Sequence, residues 1–336
     1  LSRGKTFKVE GLVFGVIGHS QKANLGQLLA KNSPFFQKGD LLSLDEPKAY
    51  SGHKTKAFVK IQEGCDFQCS YCIIPSVRGK ARSHKEIDLL NQVRILIDEG
   101  FSEVVLTGTN IGSYGKDTKT SLGNLLEKIG SIKGLRRVRL GSIEPVQIDE
   151  KVLEILNESW IERHLHLALQ HTSPKMLRLM RRRNRVEKDL ELFETLSSRG
   201  FALGTDFITG HPGESEYIWK EAWGWITRFP LTHLHGFTYS KRDGTPSAKM
   251  NSIVPGNIAK KRLKELEALV LEKNIAFRHT QKDKSLEVLI EESDGKNAFG
   301  YDQFYNPVRI YGRIERHSWV NLTKYAIKEK YNEAII

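Results

Sequence analysis

From Ala57 onward the chain alternates short apolar runs with amphipathic stretches of helical period. AFVKI leads into a helical pattern around Lys85 to Glu99, EVVLTG into one near Leu122 to Ile129, and RRVRLGSI into one from Asp149 to Leu156. HLHLAL is followed by helical patterns over Pro174 to Arg181 and Glu187 to Ser198, FALGTDFITG by one from Ser215 to Ile226, and THLHGFTYS closes the series. Six strands with helical crossovers predict a parallel sheet, because a parallel connection must cross back over the sheet face. The expected fold class is α/β: a partial (β/α)6 barrel with an apolar interior and a polar rim at the C-terminal strand ends.

The pattern changes on either side. Pro255 to Gln281 reads as a long Lys-rich helix, and SLEVLIEE, RIYGRIERHSWVNLT and KYAIKEK then show β-rich patterning with turn signals. They predict a small all-β module. Before the barrel, GLVFGVIGHSQKANLGQLLAKN reads as a short strand and a helix, and the Gly-, Pro- and Ser-punctuated KGDLLSLDEPKAYSGHKTK as a linker. The expected divisions are 1–45, a remnant with its linker; 46–282, the barrel; and 283–336, the β module.

Lys and Arg total 52 against 40 Asp and Glu, a net charge of +12, which points to an anionic partner such as nucleic acid or to an ordinary basic enzyme. The β module does not share the excess: from Asp283 on, eight basic residues face nine acidic ones. Any nucleic-acid footprint is therefore expected to cross the barrel too. No apolar run approaches the roughly 20 residues that cross a bilayer, and LSRGKTFKVEG lacks a signal peptide's apolar core, so a cytoplasmic protein with no membrane partner is expected.

All three cysteines fall in GCDFQCSYCIIP, at C-x3-C-x2-C spacing just after the first strand. An odd, tightly grouped set argues against disulfides. Cys65, Cys69 and Cys72 can hold an iron–sulfur cluster, leaving one iron open. A zinc site would need a fourth ligand such as His53 or His84, and three buried cysteines would sit oddly among Asp66, Gln68 and Ser70.

This spacing, after the first strand of a six-fold βα barrel, resembles the radical S-adenosylmethionine (SAM) enzymes. KIQEGCDFQCSYCIIPSVRGKARS, TGTNIGSYG, LGSIEP, HLALQHTSPKMLRLMRRRN, GTDFITGHPGE and YSKRDGTPSA resemble, in order and spacing, their methylthiotransferase branch, and the terminal module resembles the RNA-binding TRAM domain. The resemblance implies a [4Fe–4S] cluster on the three cysteines whose open iron binds SAM, and a low-potential electron donor to fire its cleavage to a 5′-deoxyadenosyl radical. It implies as substrate the tRNA anticodon stem-loop, converting N6-threonylcarbamoyladenosine at position 37 to its 2-methylthio derivative. A relative acting on isopentenyladenosine or on a ribosomal-protein aspartate, and a non-catalytic RNA-binding protein with a cluster, are the other readings. In the family a second [4Fe–4S] cluster on three N-terminal cysteines donates sulfur; this sequence has no ligands for it, so an N-terminally incomplete chain is expected.

The resemblance also places SAM-pocket residues at the strand ends: Gly108 and Asn110 after the second, Ser142 and Glu144 after the third, Gln170 after the fourth. Taken alone, Gly108-Thr109-Asn110 reads more often as a turn. Of the five arginines in RLMRRRNR, at least one is expected to face the barrel, and Arg181 is the candidate. Glu214, in GHPGE, would cap the following helix or meet a ligand. In the terminal module Arg309, Arg313 and Arg316 alternate with Tyr311 and Trp319, a strip that could grip phosphates and stack a base or be a half-buried sheet.

Overall fold

The computed structural model of the chain describes residues 55–336, with Gly15–Val16, Gln27, Ala30 and Phe35–Phe36 before them. Gly15–Val16 pairs in parallel with Phe35–Phe36. Gln27 and Ala30 are helical, within the expected N-terminal helix; apart from these and Thr55–Lys56, the rest of the expected strand, helix and linker lies outside the described residues.

Six parallel strands build the barrel wall: β1 (Ala57–Glu63), β2 (Glu103–Gly108), β3 (Arg137–Leu140), β4 (His164–His166), β5 (Ala202–Thr209) and β6 (His233–Thr238). They form two ladders, β1-β2-β3 and β4-β5-β6, joined by the bridges Val138–Ile161 and Ile143–Leu167. The free side of β1 pairs with Arg82–Ser83 rather than with β6, so the barrel is open. Helices α1 (Glu86–Asp98), α2 (Leu122–Gly130), α3 (Glu150–Ile155), α4 (Pro174–Leu179), α5 (Val186–Ser198) and α6 (Glu216–Ile226) cover its outside. Four start on a side-chain cap: Ser121, Asp149, Ser173 and Ser215 each accept a first-turn backbone N–H, which satisfies a donor the helix cannot.

The main core lies between these helices and the outward face of the strands, where Val59, Ile61, Val104, Leu106, Leu165 and Leu203 are buried against Leu89, Val93, Leu125 and Phe193. The inward face corrects the expected apolar interior. Arg137 and Arg139 of β3, His164 and His166 of β4, Asp206 of β5, and His233 and His235 of β6 alternate with the core residues. Period-2 alternation puts one set on the helices and the other inside.

Helix α7 (Gly256–Thr280) packs along β5 and β6 and leads to the terminal module. The module's strands are β7 (Leu286–Ser293), β8 (Asn297–Tyr301), β9 (Pro307–Tyr311), β10 (Trp319–Leu322), β11 (Ala326–Ile327) and β12 (Asn332–Ile335). Their order is β10-β7-β8-β9-β12-β11, antiparallel except for β9 with β12. β8 and β12 lie outside the three expected β stretches, and KYAIKEK supplies just two strand residues.

The module closes the end of the barrel where the strands begin. Glu287 accepts from Arg136 at 2.6 Å and Arg137 at 3.0 Å, and the Trp319 ring lies 4.2 and 4.4 Å from their guanidinium carbons. Trp319 Nε1 donates to Ser102 Oγ at 2.8 Å, and Arg139 lies 3.7 Å over the Tyr305 ring. From behind, the buried Arg278 of α7 donates to the carbonyls of Lys328, Glu329 and Tyr331. Trp319 is thus a half-buried joint, which fits the second of its two expected readings, a half-buried sheet, rather than a base-stacking surface.

Candidate active site

The cysteine loop starts where β1 ends. Gly64 turns the chain at φ +74°, and a Cβ there would stand 2.0 Å from the Lys80 carbonyl oxygen, so the two ends of the loop touch. The Cys65 N–H donates to the Gly79 carbonyl at 3.1 Å, and the Ala81 N–H to the Asp66 carboxylate at 3.2 Å. At mid-loop the Ser70 N–H and hydroxyl donate at 2.9 Å to the carbonyls of Met180 and Leu179, and the Ser247 N–H donates to the Ser70 carbonyl at 2.8 Å. The polar residues between the cysteines fasten the loop across the barrel mouth, leaving the thiols as its chemistry.

Cys69 is buried and Cys65 and Cys72 half-buried. Burial pushes the Cys65 and Cys72 thiols above the usual range, and Cys69 beside them adds to the shift. The three sulfurs do not all lie within 4.8 Å of one another, nor does His84 complete such a set with two of them. A single zinc ion would draw its thiolates to about 3.8 Å apart, given bonds of about 2.3 Å. The wider spread suits a multi-iron cluster; His53 lies outside the described residues.

Two side chains reach the sulfurs. Asn110, just beyond β2, approaches Cys65 Sγ with Nδ2 at 3.6 Å, while its N–H donates to Gln62 Oε1 at 2.8 Å. Its Oδ1 is buried without a hydrogen-bond partner, an orphaned acceptor beside the thiols. Arg182 Nη1 lies 3.7 Å from Cys69 Sγ. The same guanidinium grips both carboxylate oxygens of Glu144 and donates to the Ala168 carbonyl.

The inward arginine is therefore Arg182, which corrects the expectation for Arg181. Helix α4 ends with the Arg182 N–H donating to the Leu177 carbonyl at 2.8 Å and the Arg181 N–H to the Arg178 carbonyl at 3.0 Å. That is a Schellman ending, with Arg181 in the left-handed conformation at φ +54°. It leaves Arg181 exposed and folds the next residue back over the barrel.

Glu144 stands at the rim, engaged by Arg182 rather than free for a ligand. Ser142 is exposed and donates to Asp206 Oδ2 at 3.2 Å. Gln170, half-buried with φ +64°, ties β4 to β5 through its N–H to Asp206 and its carbonyl to Ile208. At Gly108 a Cβ would lie 2.8 Å from the Gln62 carbonyl oxygen, so the packing of β2 on β1 itself requires the glycine. Glu214 accepts from Arg262 at 3.0 Å, contacts His171 at 3.2 Å and accepts the Gly210 N–H, while Ser215 caps α6. It is a buried joint, neither cap nor ligand.

Sequence reasoning missed Arg182, Gln62 and the inward histidines. The paired HLH tripeptides of β4 and β6 were the available signal.

An open parallel barrel with three thiols beyond its first strand defines the class, and residues 59–222 match the Radical SAM superfamily. A Helicobacter pylori (strain J99) protein provisionally named a methylthiotransferase is 46% identical over 341 residues, 99% of this chain and 81% of its own length. The threonylcarbamoyladenosine tRNA methylthiotransferase of Bacillus subtilis is 36% identical over 77% of this chain and 60% of that protein. The tRNA-2-methylthio-N6-dimethylallyladenosine synthase of the same organism is 34% identical over 85% and 55%. The chain belongs to the radical SAM methylthiotransferase family.

Proposed function

We propose that Cys65, Cys69 and Cys72 ligate a [4Fe–4S] cluster with one iron open to SAM, and that the chain acts in 2-methylthiolation of a tRNA adenosine. The observation that carries this reading is the meeting, at one end of the barrel, of three thiols with the Asn110 amide and the Arg182–Glu144 pair. When bound, the cluster supplies the electron that cleaves SAM. The chain's own residues bind and orient. Arg182 places a positive charge beside Cys69, and Asn110 holds an amide against Cys65 with an acceptor to spare. Ser142, Gln170 and Asn110 surround the rim with polar groups suited to the ribose, ammonium and carboxylate of SAM.

Between the two tRNA substrates named for its relatives, we favour N6-threonylcarbamoyladenosine. Just below the rim the barrel offers Ser142, Asp206 and the exposed His235, a polar surface suited to the hydroxyl and N–H groups of a threonylcarbamoyl side chain. A dimethylallyl group has no polar atom with which to engage that surface. Mass spectrometry of tRNA nucleosides from a strain lacking the gene tests the reading: the 2-methylthio-threonylcarbamoyl nucleoside should vanish. Loss of the dimethylallyl derivative alone would reverse the assignment.

A further inference from the structure

We propose that His166, Asp206 and His235, inside the barrel and apart from the cysteine loop, form a site for a divalent transition-metal ion of the zinc or ferrous class. Register brings them together. β4 and β5 run side by side with His166 opposite Gly204, and β5 pairs Asp206 directly with His235 of β6. All three side chains point to the same inward layer. Asp206 Oδ1 lies 3.2 Å from His166 Nε2 and 3.6 Å from His235 Nδ1, and the three ligand atoms fall within 4.8 Å of one another. Nitrogen and oxygen ligands on a tetrahedral zinc ion, bonded at about 2.0–2.1 Å, stand about 3.3 Å apart. Among the described residues no other His, Cys, Asp and Glu side chains form such a set.

Two details separate this arrangement from an ordinary ion pair. His166 Nε2 is buried and makes no hydrogen bond despite its 3.2 Å approach to Asp206, so that nitrogen is not aligned on the carboxylate. Ser142 Oγ donates to the other carboxylate oxygen, Oδ2, at 3.2 Å, which orients Asp206 and leaves Oδ1, the oxygen both imidazoles approach, for an ion. Two imidazoles and one carboxylate are the donor set of zinc and of non-haem ferrous sites with open positions. The His235 side chain is 61% exposed, so the site is open to solvent, and water or an oxygen donor of a substrate would complete the ion's coordination.

Zinc chloride titrated by calorimetry into the cluster-reconstituted chain should bind at one ion per chain with micromolar affinity or better. X-ray absorption at the zinc edge should show nitrogen and oxygen neighbours without sulfur. Asp206→Asn and His235→Gln should each weaken binding at least tenfold, while iron content and the far-ultraviolet circular dichroism spectrum stay unchanged. His235 is exposed, so its variant keeps the test informative if Asp206→Asn fails to fold. No binding by the native chain, binding indifferent to both variants, or sulfur around the zinc overturns the proposal.

Discussion

Arg182 clasps Glu144 through both terminal nitrogens and holds the same guanidinium 3.7 Å from the sulfur of Cys69. The arginine side chain is 2% exposed and the glutamate's 15%, so neither charge has much water to fall back on. Removing one partner of a buried pair leaves the other uncompensated, a loss of about 3–5 kcal/mol. Arg182→Gln should lower unfolding stability by that order in denaturant titrations. Combined with Glu144→Gln the two losses should be far from additive. Because hydrogen bonds and positive charge at a ligating sulfur raise a cluster's potential, the reconstituted Arg182→Gln protein should also show a more negative midpoint than the native chain. Equal potentials would remove Arg182 from the cluster environment.

Each of Cys65→Ala, Cys69→Ala and Cys72→Ala should abolish the visible absorbance of the reconstituted cluster and reductive cleavage of SAM. The 336 residues contain just these three cysteines, so iron and sulfide analysis should give one cluster per chain. A variant that keeps the native spectrum would exclude that cysteine as a ligand.

How far the site could be read beforehand depended on which side of each strand carried the signal. EVVLTG is strand β2 residue for residue, and four of the helices begin at Ser or Asp caps visible in the sequence. The inward face was harder, because a barrel interior is ordinarily apolar and HLH or GTD reads like a half-solvated strand. Arg182 was off by one residue: a Schellman ending usually shows itself by glycine, and here the left-handed position is Arg181. Trp319 could be read as a stacking surface or as part of a half-buried sheet, because the sequence does not show that Arg136 and Arg137 stand against it.

Acid should weaken the fold through His211, which is wholly buried and contacts the Pro212 carbonyl at 2.9 Å and Ser247 Oγ at 2.8 Å. Burial holds its imidazole down at about 4, against about 6.5 in an unfolded chain. Between those values the unfolded state binds the proton and the native state does not, so stability falls as pH drops through the window. The contribution is complete above about pH 6.5, and about 3 kcal/mol is lost by pH 4. Denaturant midpoints measured from pH 7 to pH 4 should decline, and His211→Asn should flatten the decline by that share. An unchanged slope would assign the acid sensitivity to other groups.

The terminal module allows its internal joint to be separated from its outer face. Trp319 sits against two guanidinium groups and donates to Ser102, so Trp319→Ala should cost roughly 2–3 kcal/mol of stability by loss of these contacts. Arg309 on β9 and Arg313 just after it are exposed, and replacing them by alanine should leave the melting temperature within about a degree of the native value. If the module grips tRNA through this face, Arg309→Ala and Arg313→Ala should each weaken tRNA binding and reduce the salt dependence of log K by about one phosphate contact. Filter binding of the anticodon stem-loop at several salt concentrations provides the measurement. Because the module has no net positive charge of its own, the total salt slope should exceed what these two arginines explain, the remainder coming from the basic barrel. A slope accounted for by Arg309 and Arg313 alone would confine the footprint to the module.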